Sequence, residues 1–165
     1  KYLESYSYFF FLSIFYKKLD TPEYNTILGN LVMANSEFKQ YNINNTPIFL
    51  ENDQIGNPNQ FFYGDGKISP TTLRYIKNCL DLSFLCDDQS VSKIVEVGGG
   101  YGGLCKTLSV LCNFNEYLNI DLPETVLLQE KYLKNFSEIY PKIKFVPCNE
   151  LEDISNIDLF ISLLS

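Results

Sequence analysis

The chain has 165 residues, 45% of them hydrophobic, which is the size of one domain with enough apolar material for a core. Its net charge is −7, and an acidic surface excludes nucleic acid as substrate or partner, because phosphate binding needs a basic one. There is no histidine, and the five cysteines (Cys79, Cys86, Cys105, Cys112, Cys148) are scattered without a C-x-x-C, so no metal site is expected. Such cysteines read as reduced thiols of a cytoplasmic protein. Cys105 and Cys112, seven residues apart, are expected on one buried helix face.

Residues 1–40 read as helical. The most apolar run, Tyr8-Phe9-Phe10-Phe11-Leu12-Ser13-Ile14-Phe15-Tyr16, is nine residues long, short of the about 20 that span a bilayer. Glu4 precedes it, Lys17-Lys18 follow it, and no small-residue cleavage site is present, so it reads as a buried helix rather than a signal peptide. No membrane association is expected. Pro22 opens a second helix after Thr21. Residues 41–68, rich in Asn, Gly and Pro, read as irregular structure or short strands, with a turn at Gly64-Asp65-Gly66. Ser69 then caps a helix that begins at Pro70 and carries the apolar stripe Leu73, Ile76, Cys79 and Leu80. Residues 1–90 are read as a mainly helical N-terminal extension, and 91–165 as a cofactor-binding half.

From Lys93 onward strand and helix patterns alternate, which predicts an α/β fold with a parallel sheet covered on both faces. Strands are expected near 93–97, 116–121, 142–147 and 157–162, and helices near 102–112 and 123–135. Ligands of such sheets lie beyond the carboxyl ends of the strands. Gly98, Asp121, Cys148-Asn149 and Ser162 all fall at those ends.

The segment Ile94-Val95-Glu96-Val97-Gly98-Gly99-Gly100-Tyr101-Gly102-Gly103 reads as a buried strand breaking into a glycine turn and entering a helix. Glycine tolerates positive φ and lets backbone approach a ligand closely, while a helix start offers free N–H groups. Gly98, Gly100 and Gly103 satisfy the dinucleotide spacing G-x-G-x-x-G. Glu96, Gly98, Gly100 and Gly102 equally satisfy E-x-G-x-G-x-G, the pattern of S-adenosylmethionine (SAM) methyltransferases. A carboxylate beside the turn repels a pyrophosphate and suits a sulfonium or amino group, so Glu96 favours SAM. Asp121 ends the next strand about 20 residues later, where a carboxylate accepts hydrogen bonds from ribose hydroxyls. That role serves SAM and NAD alike.

Together, four motifs resemble the sugar O-methyltransferase family: Ile68-Ser69-Pro70-Thr71-Thr72-Leu73-Arg74-Tyr75, Val95 to Gly103, Ile120-Asp121-Leu122-Pro123-Glu124, and Leu128-Gln129-Glu130-Lys131-Tyr132-Leu133. Glu51-Asn52-Asp53 and Gly56-Asn57-Pro58 resemble its N-terminal region, and the likeness spans roughly residues 50–165. It implies a Rossmann-like SAM-dependent methyltransferase sheet, SAM as methyl donor, and a sugar or glycan hydroxyl as acceptor.

Each candidate also has an ordinary structural reading. Glu96 is a cofactor ligand or a strand-end acid satisfied by backbone. Asp121 holds the ribose or caps the helix at Pro123. Leu122 packs on the adenine or within the core. Tyr101 closes over the methionine moiety or shields the turn. Asn149 reaches the adenine edge or is a loop residue. Arg74, the single arginine, holds a carboxylate of SAM or of an acidic sugar, or lies on a helix surface.

No catalytic base is identified, since a sugar hydroxyl usually loses its proton to a histidine and none is present. The strand pattern stops at the fourth strand and the first residue is Lys, so the sequence reads as a fragment that is inactive alone. A fourth strand left at a sheet edge is compatible with a homo-oligomer. The competing readings are an NAD(P)-dependent oxidoreductase and a non-catalytic cofactor-binding domain.

Overall fold

Runs of buried β-branched and aromatic residues separated by polar breaks set the architecture from Lys93 onward. The computed structural model describes residues 47–63, 66–86, 91–151 and 153–162. The expected helices of residues 1–40, with the apolar run at Tyr8–Tyr16, lie outside the described residues, as does the turn residue Asp65.

A turn of helix, α1 (Pro47–Leu50), runs into a 3-10 turn at Glu51–Gln54. Two short antiparallel strands follow, β1 (Phe61–Tyr63) and β2 (Gly66–Ile68). Helix α2 (Pro70–Cys86) starts as expected: Ser69 Oγ accepts the Thr72 N–H at 3.1 Å, and Pro70 occupies the first helical position. Leu73, Ile76, Cys79 and Leu80 are all buried along its inner stripe.

The sheet consists of β3 (Lys93–Val97), β4 (Glu116–Asp121), β5 (Ile143–Pro147) and β6 (Leu159–Ser162), all parallel, in the order β5-β4-β3-β6. Counted within the sheet, that order is 3-2-1-4, the doubly wound order, with its switch point between β3 and β6. This is a Rossmann-like sheet. The first two crossovers carry α3 (Gly103–Leu108) and α4 (Pro123–Leu133). Val97 pairs with Ile120 and Ser162, and Asp121 with Pro147, so the strands end level with one another at one edge.

The main core lies on the helix-covered face. There Ile94 and Tyr117 meet Leu104, Cys105, Leu108, Leu133 and, from α2, Tyr75 and Cys79. On the other face Val95, Leu118 and Ile120 form a second cluster. Alternation along β3 and β4 therefore places Glu96, Asn119 and Asp121 on the helix face with Ile94 and Tyr117.

Three expectations need correction. The helix after the glycine turn ends at Leu108 rather than continuing to 112, because Leu111 and Cys112 bond back to Leu108 in a closing turn. The last strand begins at Leu159, two residues later than expected near 157, after the Asp158 carboxylate has accepted the N–H groups of Ser92 and Lys93. Cys112 is disulfide-bonded, so the cysteines are not all reduced thiols; Cys79, Cys105 and Cys148 are free. Cys105 and Cys112 are nonetheless buried in the same core.

Candidate functional site

The glycine turn is shaped by backbone angle on one side and by space on the other. Gly98, Gly100 and Gly102 have φ of 77°, 59° and 94°, a region that L side chains rarely adopt. A Cβ built at Gly98 or Gly100 meets nothing within 4 Å, so the turn's outer side is open. Gly99 and Gly103 face inward: a Cβ on Gly99 falls 2.8 Å from Glu96 Oε2, and one on Gly103 falls 2.4 Å from the Tyr75 ring. The turn is anchored by the Gly98 N–H to Ile120 O and the Gly102 N–H to Gly99 O.

Glu96 lies directly beneath this turn and is 2% exposed. Tyr117, from the neighbouring strand, donates its hydroxyl to Glu96 Oε2 at 2.9 Å. Burial pushes the carboxyl up to about 7; the Tyr117 hydrogen bond opposes that shift and the nearby Asp121 adds to it. A carboxyl poised near neutrality suits acid–base work, but burial keeps this one from touching a reacting hydroxyl. Asn119, fully buried beside it, has its amide against the Cys105 thiol and no oxygen or nitrogen partner among the described residues, and a Gly99 Cβ would lie 3.1 Å from its amide oxygen.

Asp121 stands at the end of β4, half-buried. Its Oδ1 accepts the Leu122 N–H at 2.8 Å and its Oδ2 accepts from Gln129 Nε2 at 3.1 Å. It does not cap α4, whose N-cap is Leu122 without any side-chain cap bond. Leu122 is 60% exposed at the same edge, an apolar side chain open to solvent rather than packed in the core. Asn149 is exposed in the 3-10 turn Cys148–Glu150 that follows β5, one strand further out.

The fold thus brings Glu96, Gly98, Gly100, Gly102, Asp121 and Leu122 to adjacent strand ends, with Asn149 in the turn that follows the next strand at the same edge. Tyr101 is turned inward. Its ring makes edge contacts with Tyr75 and Tyr132 at centroid distances of 5.9 and 4.8 Å, so it shields the turn from within. Arg74 lays its guanidinium over the Tyr75 ring at 5.5 Å and forms no ion pair among the described residues. No group of three or more His, Cys, Asp or Glu side chains among the described residues is arranged to hold a metal.

Sequence reasoning gave no role to a buried polar hub at Glu51-Asn52-Asp53. Asp53 accepts the Ser69 N–H, the Ser69 hydroxyl and the Thr72 hydroxyl, each at 2.6 Å. Asn52 Nδ2 donates to Tyr101 Oη and Thr72 Oγ1, both at 3.3 Å, and its Oδ1 accepts from the Tyr132 hydroxyl. Glu51 pairs at 2.9 Å with Lys106, whose ammonium also lies 4.9 Å from the Phe136 ring centre. The only sequence signal for this hub is that the Glu51-Asn52-Asp53 and Ser69-Pro70-Thr71-Thr72 segments both belong to the family resemblance.

No protein-family model and no curated protein matches the chain. Solved structures similar to it include the Trypanosoma brucei PRMT1 enzyme–prozyme heterotetrameric complex with AdoHcy. That match has 15% identity and a TM-score of 0.44, covering 54% of this chain and 27% of that one. Another is an uncharacterised protein from Burkholderia thailandensis, at 17% identity and a TM-score of 0.37, covering 87% of this chain and 41% of that one. The chain therefore spans about a quarter of the length of the first and two fifths of the second. No helix among the described residues is long and apolar enough to cross a membrane.

Proposed function

We propose that this chain carries the cofactor site of a SAM-dependent methyltransferase acting on a hydroxyl of a sugar or glycan. One observation carries the reading: a glycine turn whose outer side is open lies over the buried Glu96 carboxyl, with the half-buried Asp121 at the end of the adjacent parallel strand. A pyrophosphate brought to that turn meets the Asp121 carboxylate, with the buried Glu96 carboxyl behind the glycines. A sulfonium and an ammonium meet a favourable potential.

Within this reading Gly98, Gly100 and Gly102 form the surface against which the methionine moiety lies. Asp121 accepts the ribose hydroxyls with the lone pairs that Leu122 N–H and Gln129 leave free, and the exposed Leu122 side chain covers one face of the adenine. Asn149, exposed in the turn after β5, is the residue this reading assigns to the adenine edge. Bound SAM supplies an electrophilic methyl group, and the chain's contribution is to hold it in line with the acceptor oxygen. No residue here is assigned as the base. The sugar acceptor rests on the family resemblance of residues 50–165 alone.

Calorimetric titration of the protein with SAM, S-adenosylhomocysteine and NAD, repeated with Asp121→Ala, tests the reading. Binding of the adenosyl-sulfur ligands that is lost in the variant supports it. Binding of NAD alone overturns it in favour of an oxidoreductase.

A further inference from the structure

We infer that Asn52 is a positioning residue for the glycine turn, so that the turn's geometry is set by a segment about 40 residues upstream of the start of the sheet's first strand. The inference rests on the proposed cofactor site for its functional consequence, but not for its geometry.

Asn52 is 3% exposed, and its side chain spends its donors and its acceptor on three different elements. It reaches Thr72 at the start of α2, Tyr101 inside the turn, and Tyr132 near the end of α4. Those last two residues also touch each other, since the Tyr101 and Tyr132 rings stand edge-on at 84°. The Tyr101 hydroxyl is thus held from outside the sheet while its ring is clasped between Tyr75 and Tyr132. Tyr101 lies between Gly100 and Gly102, both at positive φ, so its side chain is the hold on a stretch of turn backbone whose two neighbours have no side chain to fix them.

The neighbours of Asn52 hold it in place. Asp53 ties the segment to Ser69 and Thr72, and Glu51 ties it to Lys106 on α3. Asn52 and Asp53 share Thr72 as a partner, and Glu51 alone of the three pairs with Lys106. A segment with no catalytic chemistry of its own in this way fixes the side chain at the middle of the glycine turn.

The test compares Asn52→Leu, Tyr101→Phe and the double variant, with Leu73→Ala as a destabilised control from the neighbouring core. Amide hydrogen exchange is read at the bonded Gly98 and Gly102 N–H groups, alongside calorimetric affinity for S-adenosylhomocysteine. Tyr101→Phe, which removes a single oxygen, keeps the experiment informative if Asn52→Leu fails to fold. The expected result is exchange about five- to tenfold faster at the turn in either single variant, with affinity reduced by a similar factor and no further loss in the double variant. Leu73→Ala should lower the melting temperature without loosening the turn selectively. Unchanged turn exchange in Tyr101→Phe, or strictly additive effects, overturns the inference. Exchange that rises as expected in a protein binding no adenosyl ligand keeps the positioning role and rejects the cofactor reading.

Discussion

Tyr117 and Glu96 face each other across the β3–β4 pair, hydroxyl to carboxylate at 2.9 Å, with the glycine turn closing over both. No ion pair reaches Glu96 among the described residues. An acid buried under these conditions keeps its proton to unusually high pH, about 7.

The first prediction concerns stability against pH. Unfolded, Glu96 titrates near 4.5, and folded near 7, so between those values the folded state binds more protons than the unfolded one. Stability from this group is complete below about 4.5, declines as pH rises through the window, and levels off above about 7. The shift corresponds to about 3 kcal/mol. Urea denaturation at pH 5 and pH 8 should show that decline in the wild type and a much flatter response in Glu96→Gln, whose amide oxygen can still accept from Tyr117. An equal decline in the variant would assign the effect to other groups.

Gly99→Ala separates space from backbone angle. Gly99 does not need positive φ, yet its Cβ would stand 2.8 Å from Glu96 Oε2 and 3.1 Å from Asn119 Oδ1. Either the turn lifts or the carboxyl moves, at a cost of about 1–3 kcal/mol in stability. The replacement should also weaken adenosyl-ligand binding more than its effect on stability alone would, which paired denaturation and calorimetry would resolve. Binding that tracks stability one for one would mean that the turn absorbs the methyl group without consequence.

The strands were legible because a parallel sheet buries both faces, and Ile94-Val95-Glu96-Val97 and Tyr117-Leu118-Asn119-Ile120 give the continuous runs that this produces. The glycine turn was legible for the reason that makes it work, positive φ at alternate positions. The end of α3 was not legible: Val110, Leu111 and Cys112 continue an apolar pattern without Gly or Pro to stop it. Nor was the inward turn of Tyr101, which depends on Asn52, 49 residues away. Hydrogen bonds between distant segments have no period, so the hub at Glu51-Asn52-Asp53 left no trace beyond its letters.

Asp53→Ala tests how much that hub stabilises the fold. It strands the Ser69 N–H and removes the acceptor for two buried hydroxyls, those of Ser69 and Thr72. A loss of about 2–4 kcal/mol is expected. Ser69→Ala should cost less, because Asp53 keeps the Ser69 N–H and the Thr72 hydroxyl while the helix loses one cap, typically about 1 kcal/mol. Chemical denaturation gives both values, and equal losses would mean that the carboxylate contributes no more than the cap.

Asp121 and Gln129 carry the last prediction. Gln129 is fully buried, with its amide oxygen unpartnered, and its one side-chain bond among the described residues runs to Asp121 Oδ2. Asp121→Ala therefore acts twice: it removes the acceptor proposed for ribose hydroxyls and leaves the buried Gln129 amide without a partner among the described residues. Ligand affinity should fall about 10- to 100-fold, with about 1–3 kcal/mol lost in stability. Gln129→Leu isolates the second effect, since it removes the stranded amide and frees the carboxylate to rotate. Calorimetry on that variant should show a smaller loss, confined to the entropy of holding Asp121 in place. An affinity loss as large as that of Asp121→Ala would make Gln129 itself a ligand contact.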